Sequence, residues 1–168
     1  MISITKDRSL FLETLIVPFV QGENLETGIT ALAEDLKLPK TLLLEQIKGE
    51  KKEVSLFYPI GHKRVKRVYC LGLGTKPTLK VIIEAFKRFL QMEAAKLPSN
   101  LSIDISSGNF DPEFLPGLTE GIVSGLLLGT YKKGLYQTSN IPAHKWDSEQ
   151  LTLQFFVKDN FDAKVKIA

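Results

Sequence analysis
The pattern of apolar and polar positions changes period once along Arg64–Lys96, RVKRVYCLGLGTKPTLKVIIEAFKRFLQMEAAK. Val65, Val68, Tyr69, Cys70 and Leu71 form a short β-rich apolar run. It stops at Gly72-Leu73-Gly74, where two glycines allow a tight reversal that side chains would block. Leu79, Ile82, Ile83, Phe86, Phe89 and Leu90 then share one face at helical spacing, with Lys80, Glu84, Lys87 and Arg88 on the other. Thr75 or Thr78 is available to cap this helix, and Pro77 falls where a first turn lacks hydrogen-bond partners. Leu101–Ile105 supplies the next buried strand, completing a strand–turn–helix–strand unit.

Upstream, Ile2-Ser3-Ile4-Thr5 alternates like a short edge strand. Leu12–Val20 reads as a second strand near one end of a sheet, because Pro18 breaks the ladder. Leu25, Ile29, Leu32, Ala33 and Leu36 predict a helix that Pro39 terminates, and Thr41–Ile47 a further short one ending at Gly49. Lys48–Glu53 is a charged loop leading to Val54–Ile60, which pairs as a hairpin with Val65–Leu71. Downstream, Pro116 opens a long helix to about Thr130, in which Gly117, Gly121, Gly125 and Gly129 recur every four residues along one face. Each glycine costs about 1 kcal/mol of helix propensity against alanine, so the row predicts close approach of this helix to the sheet. Tyr131–Asp147 is polar and irregular, Leu151–Val157 is a last strand, and Lys158–Ala168 has no clear period. The pattern predicts an α/β fold with a domain over 1–157 and the start of a linker over 158–168.

The 168 residues allow one domain with a core of its own. A net charge of +3 is slight, and it predicts at most weak, salt-dependent nucleic-acid binding. Cys70 is the only cysteine, which excludes a disulfide framework and fits a reducing, cytoplasmic compartment. The charged N-terminus lacks the apolar core of a secretion signal. Gly121–Tyr131, the longest uncharged stretch, falls short of the roughly 20 apolar residues that cross a bilayer.

Catalytic chemistry has no anchor. His62 and His144 are the only histidines, and no zinc-ligand spacing or Gly-x-Ser-x-Gly elbow occurs. Asp104 alternates out of its strand, while Asp111 is placed to cap a helix. A phosphate reading of Gly72 and Gly74 lacks the third glycine of the nucleotide fingerprint, since Pro77 stands there. The polar cluster Ser106, Ser107, Gly108 and Asn109 follows a strand at the edge where open α/β sheets bind ligands. It also reads as a plain turn.

Lys66–Leu73, KRVYCLGL, followed by Gly74 and a capped helix, resembles the amino-terminal domain of the leucyl (cytosol) aminopeptidase family. Glu120-Gly121, Leu128-Gly129, Tyr131 and Tyr136 resemble the end of that domain's last helix and the tyrosine after it. Tyr131-Lys132-Lys133-Gly134 departs from the family's Tyr-Arg-Phe-Asp-like segment.

The resemblance implies a macro-domain-like, three-layer sandwich: a mixed β-sheet flanked by helices on both faces. It further implies a non-catalytic domain with no cofactor of its own, partnered by a catalytic domain of the same polypeptide within a homo-hexamer. In that family two divalent metals, zinc or manganese, activate water in the carboxy-terminal domain. The family's Asn-Thr-Asp-Ala-Glu-Gly-Arg signature and its metal-binding lysine have no counterpart in this sequence. The alternative is a stand-alone ADP-ribose or nucleotide module, with Gly72, Gly74, Ser106, Ser107, Gly108 and Asn109 forming the pocket. No membrane partner is expected.

Overall fold
The computed structural model describes residues 1–108, 110–130 and 152–158. Among these residues six strands form: β1 (Ile2–Thr5), β2 (Thr14–Phe19), β3 (Val54–Phe57), β4 (Arg67–Gly72), β5 (Asn100–Asp104) and β6 (Thr152–Phe156). The helices are α1 (Leu25–Leu36), α2 (Lys40–Gln46), α3 (Leu79–Glu93) and α4 (Leu115–Thr130). The strands make one mixed sheet in the order β1-β6-β5-β2-β4-β3, with every pair parallel except β3–β4. That antiparallel pair is the expected hairpin, although β3 stops at Phe57, two residues before Pro59.

Side-chain alternation divides the core between the two faces of this sheet. Ile16, Tyr69, Leu71 and Ile103 point to the face where Ile82 and Phe86 of α3 and Ile122 and Leu126 of α4 meet them. Leu15, Val17, Val68 and Cys70 point the other way, onto Ile29 and Leu32 of α1 and Leu43 of α2. The result is the expected sandwich of helices, sheet and helices. Thr78 caps α3 by accepting the amide of Val81 at 3.4 Å, so Pro77 precedes the cap rather than occupying the first turn. Leu79, expected on the buried face, is 42% exposed at the helix start.

The position of β2 differs from the sequence expectation. It lies in the middle of the sheet between β5 and β4, not near an end. The Phe19 carbonyl accepts the amide of Leu73, and the Gln21 amide donates to the Gly74 carbonyl, so alternate residues of β2 turn their backbone groups toward β4. Pro18, of the opposite parity, turns its ring nitrogen toward β5, where the β2–β5 ladder covers only Leu15 and Ile16. A central strand tolerates this proline because the missing donor falls where the ladder has stopped.

The glycine row of α4 also has a different partner. A Cβ on Gly125 would stand 2.6 Å from the Ile83 carbonyl and 2.8 Å from the Phe86 Cβ, and one on Gly121 would stand 2.6 Å from Ile82 Cγ2. These are α3 atoms, so the row allows one helix to lie against its neighbour rather than against the sheet. Gly117 has nothing within 4 Å and takes no part. Tyr131–Asp147, including Tyr131, Tyr136, His144 and Trp146, lies outside the described residues, as do Asn109 and the tail from 159 onward. No helix among the described residues is long and apolar enough to cross a membrane.

Candidate functional site
In an open parallel sheet the chain leaves adjacent strands in opposite directions at one point, and a crevice opens beyond their carboxyl ends. Here that point is between β2 and β5, because β4 lies on one side of β2 and β5 on the other. An open cleft of about 230 Å³ is found there, lined by Gly22, Glu23 and Asn24 after β2, Pro77 after β4, and Gly108 and Asp111 after β5. The aromatic rings of Phe110 and Phe114, with centroids 5.7 Å apart, form one wall. Its charged lining residues among those described are Glu23 and Asp111, both acidic.

The glycine turn stands beside this cleft with its donors engaged. The amide of Gly72 donates to the Glu53 carbonyl, Leu73 to Phe19 and Gly74 to Gly49, each at 2.9 Å. Gly72 is the last residue of β4 and is not part of the reversal; a Cβ there would run into the Glu50 carbonyl. Gly74 does turn the chain, at a φ of +82°, where a side chain would be strained. The three loops at this edge are therefore stitched to each other.

The serine cluster likewise faces inward. Asp104 is fully buried, which corrects the expectation that it alternates outward. Its Oδ1 accepts the amides of Ser106 at 2.9 Å and Ser107 at 3.2 Å, and both serine hydroxyls donate to the same carboxylate. Arg8 closes the arrangement, with Nη2 3.5 Å from Asp104 Oδ2 and 3.2 Å from the Ser107 hydroxyl, while its Nη1 pairs with Asp35 at the end of α1. A buried carboxylate is tolerated when it is paired and hydrogen-bonded in this way. Gly108 alone of the described cluster lines the cleft. Asp111 accepts the amide of Glu113 at 3.3 Å and shapes the turn before α4.

Asp104 and Arg8 are the residues that strand alternation does not reveal. Asp-Ile-Ser-Ser is a recognisable turn pattern, in which a carboxylate accepts amides two residues on. Nothing in the sequence joins Arg8 to it.

The other titratable groups are structural. Burial pushes the Cys70 thiol well above its ordinary value, so it is held as a neutral thiol. Burial also raises the Tyr69 phenol, whose hydroxyl donates to Glu93 at 3.3 Å. Among the described residues no group of three or more histidine, cysteine, aspartate or glutamate side chains is placed to hold a metal ion.

Residues 16–140 match the family model for the cytosol aminopeptidase family, N-terminal domain. The chain belongs to that family. No curated protein matches it. Among solved structures the family domain is similar to a tomato leucine aminopeptidase mutant, with a TM-score of 0.63 at 13% identity over 92% of this chain and 32% of that one. It is also similar to the bottromycin maturation enzyme BotP in complex with Mn, with a TM-score of 0.50 at 11% identity over 87% of this chain and 26% of that one. The macrodomain of Thermus aquaticus DarG gives a TM-score of 0.50 at 9% identity over 94% of this chain and 99% of that one. At these identities the likeness is one of fold, and it is macro-like. The family domain spans about a third or less of the two enzymes and nearly all of the macrodomain.

Proposed function
We propose that this family domain is the non-catalytic amino-terminal part of a two-metal leucyl aminopeptidase. In this reading residues 1–157 are the folded unit, and 158–168 begin the connection to a catalytic domain. The domain supports a homo-hexamer and limits access to the active site, and the whole protein is a cytoplasmic hydrolase that removes amino-terminal residues from peptides. The family-model match over residues 16–140 carries the proposal. The two divalent metals do not fit the described residues, so this reading puts them in the catalytic domain and assigns no chemical step to this chain.

The test is the reading frame through and beyond Ala168. Expressed with its continuation and supplied with manganese, the longer chain is expected to hydrolyse leucyl-p-nitroanilide. A stop codon directly after Ala168, or an inactive continuation, overturns the proposal.

A second reading, an ADP-ribose or nucleotide module, is favoured by the coverage of the whole DarG macrodomain. Against it, the amides of Gly72, Leu73, Gly74, Ser106 and Ser107 already donate within the protein, and the cleft presents Glu23 and Asp111 toward any phosphate. Calorimetry with ADP-ribose is expected to show no binding, and micromolar affinity would establish the second reading.

A further inference from the structure
The free edge of β3 lies beside an apolar groove that the reading above does not use. The Glu53 carbonyl accepts the amide of Gly72, and the register opposes Val54 to Leu71 and Leu56 to Tyr69. Ser55 and Phe57 therefore turn their backbone groups inward to β4, while Val54 and Leu56 turn theirs outward. No strand pairs with that side among the described residues. The groove is small, about 70 Å³, and lies between this edge and α3, with Val54, Leu71, Val81, Ala85 and Phe89 as its apolar surface. Lys51, Lys52 and Arg88 stand on its rim, where Glu84 is the opposing charge. Glu53 is also there, but its carboxylate already accepts the amides of Lys48 and Glu50.

We propose that β3 and this groove bind an extended peptide segment by strand addition, with the segment antiparallel to β3, apolar at alternate positions and acidic at its carboxyl end. An edge strand supplies main-chain hydrogen bonds, and the neighbouring groove selects alternate side chains. Antiparallel pairing is the more stable arrangement per residue, and it brings the carboxyl end of the added strand beside Lys51 and Lys52. Lysines beside a sheet edge discourage indiscriminate pairing. Here they set the selection, because Lys51, Lys52 and Arg88 outnumber Glu53 and Glu84, and Lys51 and Lys52 stand together at the end of β3 where the added strand's carboxyl end falls.

The probe is a fluorescein-labelled peptide of alternating threonine and valine that ends in two aspartates and a free carboxylate. Fluorescence anisotropy with the full 168-residue chain is expected to show saturable binding that weakens as salt is raised. Replacing the aspartates by lysines and amidating the end should weaken it by at least about tenfold, as should the double variant Lys51→Glu, Lys52→Glu. Amide exchange followed by nuclear magnetic resonance should slow at Val54 and Leu56 when the peptide binds. N-methylating the peptide on the edge facing β3 should abolish both effects without altering the protein. Equal binding of the lysine-ended peptide, no binding of either, or slowed exchange at Val54 and Leu56 from self-association without peptide would each overturn the proposal.

Discussion

Arg8 meets the buried carboxylate of Asp104 from 96 residues away in sequence, its Nη2 3.5 Å from Oδ2. Asp104 also accepts the amides and hydroxyls of Ser106 and Ser107, so this one side chain holds the turn after β5 and anchors the segment before β2. Asp104→Ala leaves several buried donors without an acceptor and is expected to cost about 2–4 kcal/mol. Asp104→Asn keeps one acceptor oxygen and should cost less. Urea unfolding followed by circular dichroism measures both, and equal stability of wild type and Asp104→Ala would contradict the role assigned to the carboxylate.

The glycine row of α4 predicts opposite signs at two positions. Gly125→Ala places a methyl group against the Ile83 carbonyl, a backbone atom that cannot rotate away, and is expected to destabilise by about 1–3 kcal/mol. Gly117→Ala meets open space and should stabilise by up to about 1 kcal/mol through helix propensity alone. Thermal unfolding of the two variants distinguishes them, and a shift of the same sign in both would contradict the packing of α4 on α3.

His62 gives a pH dependence. Its Nδ1 accepts the amides of Val65 at 2.9 Å and Arg64 at 3.2 Å, and burial, with Lys37 nearby, holds its pKa below the ordinary 6.5. The unfolded chain then binds the proton more readily than the folded one. The contribution is fully present above the unfolded value of about 6.5 and is lost as pH falls from there through the folded pKa. Urea midpoints taken from about pH 7.5 down to about pH 5.5 should fall more steeply for wild type than for His62→Ala. Parallel curves would count against His62.

Cys70 sits in the middle of β4 with its thiol held neutral by burial. A thiol reagent such as dithionitrobenzoate is expected to leave the native chain unlabelled and to react with one thiol per chain in urea. Rapid native labelling would mean that the strand opens.

Periodicity suffices where one element decides its own form. The run from Val65 to Leu71 and the face from Ile82 to Leu90 are local patterns, and both become the expected strand and helix. What periodicity cannot supply is relational. Pro18 points to a sheet edge, yet only the register with β4 and the shortness of the β5 ladder show which side lacks the donor. Gly121 and Gly125 announce a close approach, but spacing along one helix does not name the surface opposite. Asp104 alternates with apolar residues and so reads as facing water, because nothing nearby in sequence says that Arg8 covers that face. The candidate cleft is legible in outline, since a turn rich in small polar residues after β5 marks the carboxyl edge. The inward direction of Ser106 and Ser107 follows from Asp104 and is readable only with the fold.

In the proposed reading the 168-residue chain carries none of the peptide-cleaving chemistry. The most direct test is leucyl-p-nitroanilide hydrolysis by the folded 168-residue chain with manganese or zinc in excess. The predicted result is no turnover above the metal-only blank; turnover that requires the chain and disappears on chelation would contradict it.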